Sequence, residues 1–400
     1  MNKNIYDENA YAKEFDSNVI SVQKKVWNKE EVFEFVLEET CFFPEQGGQT
    51  SDSGVLTDPV KGYSFEVLHV SIKDEVCYHY AKALDQSVSD GEVLDIRQVH
   101  GEINWDERFD KMQNHSGEHL VSGTVHRMFD YDNVGFSLSE QNCTMDFNGT
   151  FTDEDIDMIE KTVNRAVFEN IEVIITFPSP EELEKLDYRS KKELKGDVRI
   201  VEFPGYDMCA CCAPHVKRTG EIGLVKIVSA EHFKGGTRMT IRCGYRALTD
   251  YGRKLEACRG ISQLLSTPID DVLKGTEKLN QDLQKIKFEL NARMSTILEL
   301  KAKDVAGEEN PFIFIEQADM NLARSAVNGM VGKSSGYCGI FIGNDDKGYS
   351  YIIGSGKKDC KELLNTLKSK AGTKGGGNEA MIQGNIPSKE KEIREILNLL

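Results

Sequence analysis

Long apolar stretches are missing from this sequence. Its runs, Phe312 to Ile315 and Gly339 to Gly343 among them, fall far short of the ~20 residues a membrane span needs, so no part of the chain is expected to cross a bilayer. The first twenty residues carry Asp7, Glu8, Glu14 and Asp16 and lack the apolar core of a signal peptide. Cysteine is sparse: ten in 400 residues are too few for a secreted scaffold built on disulfides, which points to a reducing, cytoplasmic compartment. Positive charge is in deficit, with 49 Lys and Arg against 66 Asp and Glu, a net charge of −17. That excludes polyanion binding by bulk attraction and confines any nucleic-acid contact to a local basic patch. There is no internal repeat and no low-complexity tract. With 39% hydrophobic residues the chain has core material for two to four domains of about 100 to 200 residues each.

Four segments differ in pattern, and together they predict a multidomain α+β fold. Residues 1–100 alternate with the strand period: Phe33, Phe35 and Leu37 fall on one side, Val32, Glu34 and Val36 on the other. Similar runs cover Phe65 to Ile72, Val76 to Tyr80 and Val93 to Val99, with turns at Asp58-Pro59 and Ser89-Asp90-Gly91, so an N-terminal β-barrel is expected. From Trp105, Phe109, Met112, His119, Leu120 and Val125 recur at helical intervals, a second helix is expected over Asp153 to Phe168, and four strands follow, at Ile171 to Phe177, Arg199 to Phe203, Leu224 to Val228 and Arg238 to Arg242. This makes 101–248 an α+β domain. Residues 249–304 predict a helical hairpin broken near Ser266-Thr267-Pro268, with Thr267 as N-cap and Pro268 at the first helical position. Its second helix carries Leu279, Leu283, Ile286, Leu290, Met294 and Ile297, a coiled-coil-like stripe that either packs on its own domain or pairs two chains. Residues 305–400 alternate short strands with helices as a small α/β domain.

The most informative chemistry lies at Asn114-His115-Ser116-Gly117-Glu118-His119-Leu120. Two histidines four apart on a helix share a face and can hold one divalent ion. About a hundred residues later Asp207-Met208-Cys209-Ala210-Cys211-Cys212-Ala213-Pro214-His215 supplies a Cys/His pair, completing a nitrogen and sulfur donor set suited to Zn2+. Two other arrangements stand beside it. Cys209, Cys211 and Cys212 with one histidine would form a closed zinc knot without chemistry. His115 to His119 also satisfies the inverted HxxEH protease pattern with Glu118 as general base, although that pattern takes a further carboxylate ligand rather than Cys211 and His215.

A second cluster, Thr40-Cys41-Phe42-Phe43-Pro44-Glu45-Gln46-Gly47-Gly48-Gln49, resembles the TxFYPxGGGQ segment of the alanyl-tRNA editing proteins, the AlaX-type relatives of the alanyl-tRNA synthetase editing domain. In the order of that family, His115 to Leu120 resembles HxxxHL, Cys211 to Val216 resembles CGGTHV, and Thr219 to Gly223 and Gly235 to Arg238 resemble the TGEIG and GGxR segments. Residues 250–400 look like the helical hairpin and DHH-associated C-terminal domain of the long forms, with Lys374, Gly375, Gly376 and Gly377 in its glycine-rich segment. The resemblance implies an editing deacylase acting in trans, which removes serine from mischarged alanine tRNA, with glycine left open. It implies Zn2+ held by His115, His119, Cys211 and His215. Thr40 and Gln49 are then the candidates for reading the substrate, and Glu118 for moving a proton. In this chain Cys212, Ala213 and Pro214 stand where that pattern has Gly-Gly-Thr, so the thiolate ligand stays open among Cys211, Cys212 and Cys209.

Two windows rise above the acidic average. Between Val216 and Arg246, Lys217, Arg218, Lys226, Lys234, Arg238, Arg242 and Arg246 face only Glu221 and Glu231, and six lysines between Ser355 and Lys374 face Asp359 and Glu362. Lys217, Arg218, Lys234, Arg238 and Lys374 to Gly377 are accordingly the expected tRNA contacts. A homodimer through the helical segment or the C-terminal domain is the further partner considered. The alternative function is a zinc-stapled tRNA-binding module without catalysis.

Overall fold

The computed structural model describes residues 3–85, 87–190 and 198–399. The fold is mixed α/β, and the chain divides into two compact units, Met1–Ala257 and Cys258–Leu400. No helix among the described residues is long and apolar enough to cross a membrane.

In the first unit six antiparallel strands close into a barrel in the order Glu14–Trp27, Glu30–Leu37, Val76–Ala83, Ser64–Lys73, Gly54–Thr57 and Gln98–Ile103. Phe33, Phe35 and Leu37 join Phe65, Val67 and Cys77 in its core. Val32, Glu34 and Val36, on the other face of the same strand, are buried as well, so both faces are covered there. The run from Val93 is not wholly a strand: Asp90–Leu94 is a short helix, started by a capping box of Ser89 with Glu92, and the strand begins only at Gln98.

Beyond the barrel, the helix Trp105–Phe129 and the helix Asp153–Glu169 share a core with the four-stranded sheet Val225–Phe233, Gly236–Cys243, Cys143–Phe147 and Asn133–Leu138. A three-stranded sheet follows, Ile174–Thr176, Ile200–Phe203 and Asp207–Ala210. The strands at 133–138 and 143–147 lie in a stretch where no strand was expected. Gly117 sits between the two histidines because a Cβ there would run into the Cys243 sulfur of the sheet. Close packing outweighs the roughly 1 kcal/mol that glycine costs inside a helix.

The helix Trp105–Phe129 is bolted to the segment leading into the barrel. Arg108 and Asp52 are both buried, with Nε donating to Oδ2 at 2.9 Å and a second, shorter contact from Nη2. Arg108 also donates to the Cys41 and Ala10 carbonyls, Asp52 accepts the Phe43 N–H at 2.7 Å, and Lys111 Nζ donates to the Ser51 carbonyl at 2.6 Å.

In the second unit, Thr267 does not cap the long helix. Its hydroxyl donates back to the Leu265 carbonyl, Pro268 opens a single 3-10 turn, and the helix runs over Val272–Asp304. The preceding helix, Gly244–Leu265, begins well before the expected Tyr251. Leu279, Leu283, Ile286, Leu290 and Ile297 are exposed, while Met294, Leu298 and Ala302 reach a core. A five-stranded sheet completes this unit, ordered Phe312–Ile315, Cys338–Asn344, Gly348–Gly354, Met381–Ile386 and Lys374–Gly377.

Removing one partner of a buried ion pair strands the other. Asp52→Ala is therefore expected to cost about 3–5 kcal/mol of unfolding free energy, measured by denaturant titration.

Candidate metal centre

Helical spacing puts His115 and His119 on one face, and the loop after strand Asp207–Ala210 brings Cys211 and His215 to them. One donor atom from each of these four residues lies within 4.8 Å of every other. Cys211 Sγ is 3.6 Å from His115 Nε2 and 3.4 Å from His215 Nε2. Cys209 groups instead with His119 and Asp207, and Cys212 belongs to neither set. None of the ten cysteines is in a disulfide.

Each imidazole is oriented through its other nitrogen. His115 Nδ1 lies 2.7 Å from Gln49 Oε1, His119 Nδ1 2.8 Å from Asp207 Oδ2, and His215 Nδ1 3.1 Å from Ser116 Oγ. Carboxylate and amide oxygens only accept, so Nδ1 of His115 and His119 carries the proton and Nε2 keeps its lone pair. Outer partners of this kind fix tautomer and ring orientation in metal sites. Asp207 is held in turn by Arg189, whose Nε and Nη2 donate to its two oxygens at 2.7 and 2.9 Å. Both Asp207 oxygens being engaged, the Cys209 grouping offers a poorer cage than the His115, His119, Cys211 and His215 set. That set, three imidazole nitrogens and one sulfur, has the composition zinc prefers.

Electrostatics favour a neutral imidazole at His215 and a charged one at His119 when no cation is bound. Burial, reinforced by the neighbouring His119 and His115, drives His215 well below the ordinary histidine value. Burial opposes protonation of His119 too, but Asp207 and Glu118 outweigh it and lift that group. Burial tends to raise Asp207, yet His119 and Arg189 hold it below the usual carboxylate range. The Cys212 thiol is pushed up to about 12 by burial, with Cys211 adding to the effect.

A cavity of about 530 Å³ opens beside the donors, lined by Gly47, Gly48, His115, Glu118, His119 and Phe136 among others. Gly47 and Gly48 reach it because their turn is docked on a strand edge: Leu138 N–H donates to the Gly48 carbonyl and Thr50 N–H to the Leu138 carbonyl. Glu118 Oε1 accepts from Ser122 Oγ and Asn133 Nδ2, both at 2.7 Å, while Oε2 stands 4.0 Å from His119 Nε2. Gln49 is buried against His115 rather than among the lining residues.

Thr40 is not brought to this cavity. It is fully buried near the barrel, 2.9 Å from His79 Nε2, and accepts the Phe42 N–H at 3.1 Å. His79 Nδ1 faces the Phe35 carbonyl, and burial lowers the ring to about 4, so it is neutral with a bare Nε2. The Thr40 hydroxyl proton is thereby committed to His79.

The expected cationic contacts divide in two. Lys217 and Arg218 are exposed, with Lys217 Nζ 4.5 Å from the Tyr11 ring centre and Arg218 on the Asn170 carbonyl. Lys234 occupies the hairpin turn beside Phe233. Arg238 is bound bidentately to Asp146 and lies on the Phe233 ring, and Lys226, Arg242 and Arg246 pair with Glu160, Asp250 and Asp110. The first basic window is therefore largely neutralised by acids from elsewhere in the chain. Lys374 to Gly377 form an edge strand in the second unit. Motif reading passed over Ser116, Asp207, Arg189 and Arg199. Arg199 Nη1 donates to the Cys211 and Ala213 carbonyls and so sets the ligand loop.

Cobalt added to the zinc-free chain is expected to give a sulfur-to-metal absorption band. Cys211→Ser removes it and Cys212→Ser keeps it, as read by ultraviolet and visible spectroscopy.

Residues 3–107 match the family model for tRNA synthetases class II (A), and 198–239 match the Threonyl and Alanyl tRNA synthetase second additional domain. The alanyl-tRNA editing protein AlaX-L of Pyrococcus horikoshii is 26% identical over 99% of this chain and 97% of its own length. The alanyl-tRNA editing protein Aarsd1 of Danio rerio is 24% identical, covering 97% of this chain and 95% of its own. The alanine–tRNA ligase of Pyrococcus abyssi is 28% identical over 100% of this chain, which spans only 44% of that enzyme. Matched almost end to end by two editing proteins and by less than half of a ligase, the chain is a homologue of the alanyl-tRNA editing proteins.

Proposed function

We propose that the protein is a zinc-dependent aminoacyl-tRNA deacylase acting in trans in the cytoplasm, hydrolysing alanine tRNA mischarged with serine, and with glycine as a second substrate. The observation that carries this reading is the convergence of His115, His119, Cys211 and His215 on the wall of an open cavity, in a chain homologous throughout to proteins named for editing alanyl-tRNA. A zinc-stapled module without catalysis is the less favoured alternative, because the donor set faces a cavity and a buried carboxylate, not packed core.

When bound, zinc supplies a positive charge that orients and polarises the substrate's 3′ end. The chain's own residues do the rest. Glu118 lines the cavity, and the hydrogen bonds from Ser122 and Asn133 aim its carboxylate as the acceptor of a proton from the attacking water. Gln49 acts through His115 as a positioning residue. Gly48 lets the turn lie against the strand at Phe136, whose carbonyl a Cβ there would strike, and so brings backbone to the cavity wall.

Editing is needed because a pocket made for alanine rejects neither the smaller glycine nor serine, which adds one hydroxyl. Hydrogen-bonding the serine hydroxyl spares alanine, whose binding would leave a buried polar partner unmet. Thr40 has less support for that task than its place in the motif suggests, since its hydroxyl already serves His79 and Phe42. Thr40→Val decides the matter: retained serine preference makes Thr40 a brace of the segment, lost preference makes it the reader.

The proposed layout is a barrel domain over 1–100, the editing domain over 101–248, a helical hairpin over 249–304 and a tRNA-binding domain over 305–400. The exposed stripe from Leu279 to Leu290 supports pairing of two chains through the hairpin. Lys217, Arg218, Lys234 and Lys374 are the proposed backbone contacts, with Arg238 the weakest of the set.

The zinc-loaded chain is expected to hydrolyse seryl-tRNA(Ala) and glycyl-tRNA(Ala) and to spare alanyl-tRNA(Ala). His119→Ala should abolish turnover in a deacylation assay, and an inactive zinc-loaded wild type would overturn the reading. Replacing both Lys217 and Arg218 by Ala is expected to reduce the slope of log affinity against log salt by about two. Arg238→Ala, whose charge Asp146 already neutralises, should leave that slope unchanged.

A further inference from the structure

A second cavity, of about 600 Å³, abuts the metal cavity and shares Val134 and Ser190 with it. Asp207, which orients His119, stands in its wall beside Arg189. We infer that this cavity seats the base of the nucleotide immediately preceding the ester-bearing terminal one, and that it selects a base with an exocyclic amino group, as in cytosine. The inference rests on the deacylase reading, which puts the terminal nucleotide at the metal cavity. The strand that continues from that nucleotide must leave through an open side, and the adjoining cavity provides one.

The lining suits an unpaired base. Exposed Arg127 lays its guanidinium 5.2 Å from the centre of the Tyr206 ring and is pinned by the Gly205 carbonyl, and Tyr188 lines the same space. Single-stranded bases stack on aromatic rings and on guanidinium planes. Apart from Arg127, which is committed to the Tyr206 ring and the Gly205 carbonyl, the cations of this wall are matched by acids, which favours a base over a phosphate. Arg189 is neutralised by Asp207, His126 lies 3.2 Å from Asp132, and Asp187 adds a further exposed carboxylate. The exposed Asp187 carboxylate in this wall pairs with an amino edge, the way a carboxylate reads cytosine, and repels a carbonyl in the same place.

The experiment is titration of the full, zinc-loaded chain with the trinucleotides CCA and CUA and with adenosine, followed by calorimetry. CCA is expected to bind roughly ten-fold more tightly than adenosine, as one stacked base allows. It should also exceed CUA by roughly ten-fold. Asp187→Asn should bring CCA and CUA together, while Arg127→Ala and Tyr188→Ala should each shrink the gain of CCA over adenosine. Equal binding of CCA and adenosine by the wild type, or full preference surviving in all three variants, would overturn the inference. Because binding is read without hydrolysis, the two readings part cleanly. Preference for CCA in a chain that cleaves no ester supports the subsite and removes the deacylase, and cleavage without preference does the reverse.

Discussion

The buried pair of Arg108 and Asp52 ties the candidate site together. It joins the helix Trp105–Phe129 to the segment that runs from Cys41 to Asp52, and that segment carries the glycine turn and Gln49. Arg108, Lys111, His115 and His119 are spaced three, four and four, so one stripe of the helix holds both the bolt and the ligands. A buried ion pair contributes little net stability over a hydrophobic replacement. Its effect here is geometric: with Arg108 donating to Asp52 and to two backbone carbonyls, the helix has one register against the segment, and Gln49 Oε1 meets His115 Nδ1 at 2.7 Å.

The same economy runs through the donor set. Three imidazoles packed in a buried cluster cannot all be protonated, and each meets a hydrogen-bonding oxygen at Nδ1 from a different element: the glycine turn, the strand from Asp207, and the helix itself through Ser116. Arg189 and Arg199 then fix the two loop pieces, one by gripping Asp207 and the other by gripping the carbonyls of Cys211 and Ala213. The substitutions at Cys212, Ala213 and Pro214 leave this arrangement whole because the loop is held by its backbone. The Ala213 and Cys212 side chains pack with Tyr6 and Phe43, a small apolar cluster that Cys211 also touches.

What was legible in the sequence follows from the range of the interactions. The histidine pair was visible because helical spacing is local, and Cys211 and His215 because their spacing is local too. Asp207 and Gln49 meet His119 and His115 across 88 and 66 residues, a relation no spacing encodes. Charge counting is blind for the same reason: the window from Val216 to Arg246 reads as basic, but Asp110, Asp146 and Glu160 arrive from other elements to pair with Arg246, Arg238 and Lys226. The misread strand at Val93 is a different case, since Ser89 and Glu92 carried a helix-start signal at capping-box spacing, and the apolar run outweighed it.

The glycine-rich edge strand of the second unit separates packing from function residue by residue. A Cβ on Gly375 would stand 2.5 Å from the Gln383 carbonyl and 2.7 Å from the Tyr351 hydroxyl, and one on Gly377 would collide with the Met381 carbonyl. Both must be glycine for the strand to lie against Met381–Ile386 at all. Gly376, between them, would meet nothing within 4 Å and is exposed. Packing does not account for it, and a bare backbone at an exposed sheet edge lets a ligand approach more closely than any side chain would allow. Of the three glycines in this segment, Gly376 is the one that packing leaves unexplained, and Lys374 stands two residues away on the same strand, an exposed cation at the same edge.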